Sequence, residues 1–438
     1  MELGALKLRS SIKLREEYFG GIVFDKETGN IIELDREAFS FLTMVKDLKA
    51  IHIDDLLYNP VYLNERIISK QDIQNIVNQF LSLKLLESIS LGDNVHLKEI
   101  DLTNYYKKLK RNRYSHLSAP ETAHFAVTYK CNEKCPDCYI PSRKKLSFEE
   151  LGIKEIMVII DKLCENNVFQ LAIGGGEPFL RKDLKEIVKY AYENDLVPHV
   201  TTGRYEIDSN ELLNYVKILQ IGIHLEELLE NETLETSKLS RLVSTIYDAG
   251  ANPGANIIMT KYLIKNFHKI MDILISCGFK RFTFLRYKPH SNSKRWLNEN
   301  PRLFELDMMN AYFENLQKNY PFVKIRIDCA ATFLERNMDE RSAIFNGIQG
   351  CTAGSRIISI VPDGSVYPCS QTCFDEYKAG NLLSDSFESI WNESEALNKF
   401  RFYKDSAFFQ RSTCGSCKAN RFCSSCHVLK EDLNCKVI

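Results

Sequence analysis

Cys131, Cys135 and Cys138 fall at C-x3-C-x2-C spacing in the stretch Cys131-Asn132-Glu133-Lys134-Cys135-Pro136-Asp137-Cys138-Tyr139, directly after an apolar run over 123–129. One short loop can therefore bring three thiolates onto one side of an iron–sulfur cube. A four-iron cube takes four ligands, and ferredoxin-type sites supply four cysteines. The next cysteine is Cys164, at the far end of a helical-looking segment. One iron is thus expected to stay open for a small molecule, as catalytic metal sites keep a vacant position. A zinc site, the competing use of such a loop, wants a fourth Cys or His close by, and the loop holds none.

A second set of thiols closes the chain. Cys351 is followed by twelve residues, Gly364, four residues and Cys369; then come Cys414-x2-Cys417-x5-Cys423-x2-Cys426 and Cys435. Between Cys351 and Cys369, apolar runs over 357–361 and 366–367 flank Pro362-Asp363-Gly364-Ser365, which signals a hairpin with an Asp-Gly turn. A zinc ribbon accounts for two Cys-x2-Cys pairs but gives no purpose to Cys351, Cys369 or Cys435. The N-terminal Met-Glu-Leu-Gly shows no charged-then-apolar signal segment, and no apolar stretch approaches the ~20 residues of a membrane span. A cytoplasmic location is expected, where fourteen cysteines point to metal or redox chemistry and not to disulfides. A formal net charge of −1 gives no argument for nucleic acid or an anionic membrane as partner.

The elements that must position these groups follow from pattern. A chain of 438 residues suggests about three domains. Residues 1–100 read as a small winged-helix-like module. Runs over 18–24 and 30–34 around Asp25-Lys26-Glu27-Thr28-Gly29 signal a hairpin. Asp35 can cap a helix through Phe39, Leu42, Val45 and Leu48. A second helix fits 71–83, with Ile73, Ile76, Val77, Phe80 and Leu81 on one face. The polar, basic stretch 101–118 reads as a linker. From Thr122, strands expected over 123–129, 169–173, 198–202, 218–224, 255–260 and 281–286 alternate with helices. The clearest helix is 181–194, with Leu184, Ile187, Val188, Ala191 and Tyr192 as its stripe. Alternation of this kind implies an α/β fold with a parallel sheet, here over 119–320, with a loop over 287–300 and a helix over 301–320. The cysteine-rich remainder spans 321–438.

Strand ends carry further candidates. The second strand runs into Gly174-Gly175-Gly176-Glu177-Pro178, where missing side chains allow close approach to backbone and Glu177 adds a carboxylate. Thr201-Thr202-Gly203-Arg204 follows the third strand, His224 ends the fourth, and Arg286 and Tyr287 follow the sixth. Active sites of (β/α) barrels sit at these C-terminal ends.

The first loop resembles the C-x3-C-x-Φ-C signature of radical S-adenosylmethionine (radical SAM) enzymes, with Asp137 at the usually aromatic Φ position and Tyr139 one residue later. The resemblance implies a partial (β/α)6 TIM-like barrel. It also implies a catalytic four-iron cluster on Cys131, Cys135 and Cys138, whose open iron chelates SAM so that an electron yields a 5′-deoxyadenosyl radical. Gly174, Gly175, Gly176, Glu177 and Pro178 match the motif that binds the SAM amino group. Thr202 matches part of a Thr-Thr-Asn-Gly motif whose Asn is missing here. Tyr139 and His224 complete the expected cofactor contacts.

The C-terminal order is similar to the SPASM extension of that family, with x2 in place of x3 before Cys426. It implies two auxiliary four-iron clusters, three clusters in all. Cys414, Cys417, Cys423 and Cys435 would hold the distal one. Cys351, Cys369 and Cys426 would hold the proximal one, with Cys329 as first choice for the fourth ligand, Cys373 as rival and an open iron as third option. By position, residues 1–100 resemble the leader-recognition domain, similar to the pyrroloquinoline-quinone chaperone (PqqD-like), found in peptide-modifying members. The combination implies a maturase of a ribosomally made precursor peptide, with flavodoxin or ferredoxin as electron donor. Its first expected product is a sulfur-to-carbon thioether, and a carbon–carbon link is the alternative. Anaerobic sulfatase maturases share the extension, but there an Asp follows the second hairpin cysteine, and here Ser370 does.

Overall fold

The structure, a computed structural model, describes residues 4–63, 66–90, 97, 99–109, 114–133, 135–136, 138, 140, 149–207, 210–288, 294–335, 350–421, 423–424 and 426. The chain divides into two compact units, Met1–Ser118 and Ala119–Ile438.

The first unit runs β1 (Ala5–Leu8), β2 (Ile12–Glu17), β3 (Gly20–Asp25), β4 (Ile31–Asp35), α1 (Arg36–Asp47), β5 (Ile51–His52), α2 (Ile53–Tyr58), β6 (Val61–Leu63), β7 (Arg66–Ile67), α3 (Lys70–Ser82), β8 (Leu86–Ile89), β9 (Ile100–Asp101) and α4 (Thr103–Lys108). Three small sheets form, ordered β2-β3-β4, β5-β1-β8 and β7-β6-β9. The expected hairpin is β3–β4. Asp35 caps α1 by accepting from the Ala38 amide at 2.8 Å, and Ser69 caps α3 through the Asp72 amide at 3.1 Å. Phe41, Leu42 and Val45 of α1 share one core with Ile73, Val77 and Phe80 of α3.

The stretch expected as a linker belongs partly to this unit. Leu102 is buried in the same core and Tyr105 and Tyr106 pack against it, because these residues recur at helical spacing and α4 turns them inward. The Ser118 amide donates to the buried Glu17 carboxylate at 2.7 Å. Residues 110–113 lie outside the described residues.

The second unit is built on one ten-stranded sheet. Its strands are β10 (Thr122–Thr128), β11 (Gln170–Gly175), β12 (Val197–Thr202), β13 (Ile218–Gly222), β14 (Asn252–Met259), β15 (Arg281–Arg286), β16 (Lys324–Ile327), β17 (Ile357–Ile360), β18 (Ser365–Tyr367) and β19 (Gly380–Asn381). The order is β16-β15-β14-β13-β12-β11-β10-β17-β18-β19. All pairs from β10 to β16 are parallel. The helices between them are α5 (Ile153–Glu165), α6 (Leu184–Glu193), α7 (Asn210–Leu213), α8 (Leu225–Glu230), α9 (Glu232–Asp248), α10 (Lys261–Ser276), α11 (Lys294–Glu299) and α12 (Leu303–Asn319). This is the α/β class with the parallel sheet that alternation implied, and it forms the partial (β/α)6 barrel that the resemblance implied.

Four details depart from expectation. β16 was not anticipated, because Lys324-Ile325-Arg326-Ile327 is four residues long and half charged, as an edge strand tolerates. Tyr192 leaves the buried stripe of α6: it is 54% exposed and meets the Tyr215 ring edge-on, since one residue past Ala191 turns it about 100° round the helix. Helix α11 stands inside the expected loop, anchored by buried Trp296. Finally, the hairpin β17–β18 forms as its Asp-Gly turn required, but β17 also pairs parallel with β10. The cysteine-rich extension therefore continues the barrel's own sheet. Among the described residues no helix is long and apolar enough to cross a membrane.

Candidate active site

The cysteine loop leaves β10 from a fixed root. The Thr128 hydroxyl and the Tyr129 amide donate to the Glu150 carboxylate at 2.9 and 2.8 Å. Strand β11 then crosses this root closely: the Gly176 amide donates to the Thr128 carbonyl at 2.7 Å and the Glu177 amide to the Lys130 carbonyl at 2.9 Å. The glycines serve that crossing. A Cβ on Gly175, whose φ is +116°, would stand 2.3 Å from the Thr128 carbonyl oxygen, and one on Gly176 would stand 2.1 Å from that of Lys130. A Cβ on Gly174 would make only ordinary van der Waals contact, with Thr201 Cβ at 3.9 Å. Of the three glycines expected to admit a ligand, two are thus used to admit the chain itself.

Glu177 is fully buried. Its carboxylate accepts from the Phe179 amide at 3.0 Å, the Thr202 hydroxyl at 2.9 Å and the Gly203 amide at 3.2 Å. Burial raises its pKa, against the pull of these three bonds. Thr202, expected at the cofactor, spends its hydroxyl on Glu177. Strand alternation puts Thr201 and His199 on the other face of β12 from buried Val200 and Thr202.

Cys131, Cys135 and Cys138 come together half-buried, with the Cys138 amide donating to the Cys135 carbonyl at 3.3 Å. Cys135 Sγ lies 3.7 Å from His224 Nε2. Burial pushes the Cys135 thiol up to about 11, and the neighbouring Cys138 and Cys131 add to the shift. Three thiols gathered on one half-buried loop are a soft donor set, and this set fits an iron–sulfur cluster. Beside it opens a cavity of about 450 Å³ lined by Asn132 and Glu133 of the loop, by 203–206 after β12, and by His224, Glu227, Glu235 and Lys238. Arg204 Nε lies 3.7 Å from Glu133 Oε1 and ties the loop to that wall. The buried Tyr205 hydroxyl accepts from the His224 amide at 2.8 Å and fixes the histidine's backbone.

A second cluster of thiols gathers beyond β15 and β16. The free thiols of Cys329 and Cys351 share a hydrogen bond, and Cys369 feels the charge of Cys329 and Cys426. The Cys329 pKa is raised by its bond to Cys351 and by burial. Burial pushes Cys369 to about 12. Cys373 faces elsewhere, into an apolar cluster with Tyr129, Ile140, Val361 and Tyr367 that packs Cys138 from below. Next to Cys329 the Lys288 ammonium pairs with the Asp328 carboxylate; the side chains are 10% and 6% exposed. Burial alone would raise Asp328, but Lys288 and the Ala330 amide hold it below the usual range.

Cys414, Cys417 and Cys423 follow on short turns, with the Cys417 amide donating to the Cys414 carbonyl at 3.2 Å. Lys404 donates to the Asn420 carbonyl at 2.6 Å, and burial lowers its pKa against the pull of the nearby Cys423. Tyr139 and Cys435 lie outside the described residues. Among the described residues no three Cys, His, Asp or Glu side chains converge tightly enough for a single metal ion, and a cube spreads its thiolates farther apart than one ion does.

Residues 125–285 match the Radical SAM superfamily, and 351–427 match SPASM, an iron-sulfur cluster-binding domain. The chain is a radical SAM enzyme with a SPASM domain. Among its relatives is the mycofactocin maturase MftC of Mycobacterium tuberculosis, 25% identical over 312 residues, 69% of this chain and 76% of that one. Another is the antilisterial bacteriocin subtilosin biosynthesis protein AlbA of Bacillus subtilis, 24% identical over 322 residues, 70% of this chain and 67% of that one. Streptococcus suis SuiB, in a crystal structure bound to precursor peptide SuiA, shares the fold with a TM-score of 0.70 at 19% identity, over 97% of this chain and 96% of that one.

As a radical SAM enzyme the protein uses SAM and iron–sulfur clusters. In a radical SAM barrel the cysteine loop belongs at the C-terminal end of the first strand, which is where Glu150 and the Gly175–Gly176 crossing fix it.

Proposed function

We propose that the enzyme modifies a ribosomally made precursor peptide. Residues 1–100 hold the leader, the 119–320 barrel positions SAM, and the 321–438 extension holds auxiliary clusters. What carries this reading is the co-occurrence of a separate N-terminal unit with radical SAM and SPASM domains in one chain. A shared fold with a protein whose crystal holds a precursor peptide supports it. The relatives named as a mycofactocin maturase and a bacteriocin biosynthesis protein support it too. Tethering the leader raises the effective concentration of the core peptide at the barrel mouth.

Cys131, Cys135 and Cys138 hold the first cluster; Cys329, Cys351, Cys369 and Cys426 hold the proximal one; Cys414, Cys417, Cys423 and Cys435 hold the distal one. Reductive cleavage of SAM supplies a radical that takes one hydrogen atom from the peptide. The remaining work falls to the chain. Gly203, Arg204 and His224 border the space beside the cluster loop, while Glu177 and Thr202 hold the two strand ends in register. A one-electron donor such as flavodoxin or ferredoxin reduces the first cluster. For the product we favour a thioether, because thiolate is the softest ligand a peptide offers to an iron centre.

The test is anaerobic turnover with a candidate precursor, followed by thiol alkylation and mass measurement. A thioether removes two hydrogens, about 2 Da, and consumes one alkylatable cysteine per link; the two electrons leave the carbon that gains the C–S bond, and sulfur stays at the bottom of its oxidation ladder. If every cysteine stays alkylatable while about 2 Da is lost, the carbon–carbon link replaces it. Removing residues 1–100 is expected to abolish peptide modification but to leave uncoupled SAM cleavage; equal loss of both in a folded core overturns the division of labour.

A further inference from the structure

We infer that Lys288 is a positioning charge for the proximal auxiliary cluster: its buried ammonium holds that cluster's reduction potential up, and Asp328 opposes it from beside the ligand Cys329. This rests on the reading of Cys329, Cys351, Cys369 and Cys426 as cluster ligands. Lys288 stands two residues beyond β15, at the barrel mouth, and Asp328 stands one residue beyond β16. Three backbone and thiol donors fix the carboxylate: the Arg286 amide at 3.1 Å, the Ala330 amide at 3.0 Å and the Cys329 thiol. Arg286 turns its guanidinium to the Ala330 carbonyl at 2.9 Å and over the Phe333 ring at 5.1 Å.

The Lys288 charge reaches Cys329, Cys369 and Cys426, three ligands drawn from three separate segments. A buried ion pair is a poor stabilising device, since apolar side chains of similar volume often do as well or better. Its place beside these three thiols gives it another use. Reduction adds one negative charge to a cluster, and in a dry site a fixed cation stabilises that state while a carboxylate opposes it. Ligands' hydrogen-bond partners tune a metal centre in the same way. A raised potential suits a centre that takes up the electron left when hydrogen-atom removal is followed by bond formation and loss of a proton.

The measurement is a potentiometric titration followed by electron paramagnetic resonance. It uses the full reconstituted chain carrying Cys131→Ala, Cys135→Ala and Cys138→Ala, which removes the first cluster's signal. Lys288→Met is expected to shift the proximal signal to lower potential, Asp328→Asn to higher potential, and Lys288→Arg to restore most of the parent value. The distal signal should stay in place. If Lys288→Met loses the cluster, the Lys288→Met/Asp328→Asn double variant carries the comparison and should titrate below Asp328→Asn alone. Unshifted potentials, or single variants moving in the same direction, with the proximal signal intact, overturn the inference. A parent with iron for the distal cluster only overturns the ligand reading and this inference with it.

Discussion

The Thr202 hydroxyl donates to the buried Glu177 carboxylate at 2.9 Å, and so joins the ends of β11 and β12 beside the cysteine loop. The Gly203 amide reaches the same carboxylate oxygen at 3.2 Å. Two motifs that look like separate cofactor contacts in sequence are thus halves of one clamp. On one side of it the Glu177 amide holds the Lys130 carbonyl, and on the other Gly203 would meet Cys135 Sγ at 3.7 Å if it bore a Cβ.

Breaking the clamp should therefore cost stability as well as cofactor affinity. Thr202→Val removes one hydrogen bond to a buried carboxylate, at about 1.5–3 kcal/mol. Glu177→Ala strands two backbone donors and should cost more. Thermal melting of the reconstituted protein, with and without SAM, measures both. A Thr202→Val variant with unchanged melting temperature but weakened SAM binding would place Thr202 at the cofactor instead.

The triple substitution of Cys131, Cys135 and Cys138 by Ala should abolish SAM cleavage and lower iron from about 12 to about 8 atoms per chain, three and then two four-iron clusters. Iron and sulfide assays with 5′-deoxyadenosine quantification check it. Zinc in the C-terminal region, or retained 5′-deoxyadenosine above background, contradicts the assignment.

Cys329 and Cys373 should behave differently. Cys329→Ala removes a proximal ligand and should cost the proximal iron or its parent spectrum. Cys373→Ala opens a small gap in the apolar cluster under the loop, at about 1 kcal/mol, and should leave all iron in place. Loss of proximal iron from Cys373→Ala, with none from Cys329→Ala, would exchange their roles.

Stability should fall on mild acidification. Burial holds His124 down to about 4 and, with help from Arg326, Lys217 and Arg281, His199 down to about 3. Between the ordinary value of 6.5 and these folded values the unfolded chain binds protons and the folded chain does not. Stability is therefore full above about pH 6.5 and falls as pH drops, by roughly 2 kcal/mol per histidine at pH 5. Urea midpoints for wild type and for His124→Gln, taken at pH 7 and pH 5, test the sign; an equal drop in both proteins removes His124 from the account.

The sequence by itself determined the metal chemistry. Ligand spacing within Cys131–Cys138 and Cys414–Cys426 is a local property, because a short loop can wrap a cube whatever surrounds it. It also determined the parallel sheet, since burial on both faces and crossover helices write their periods into the chain, and helices α1 and α3 of the first unit, whose caps at Asp35 and Ser69 lie within three residues of their partners. Only the tertiary structure placed Cys329 against Cys351 and Cys373 in the apolar cluster that packs Cys138, since nothing in the sequence reports which way either side chain faces. Only it brought Lys288 to Asp328 and Thr202 to Glu177, and only it laid β17 beside β10. Those pairings join residues tens to hundreds of positions apart. Their energy comes from burial and from charge in a dry interior, quantities that exist only once the sheet has assembled.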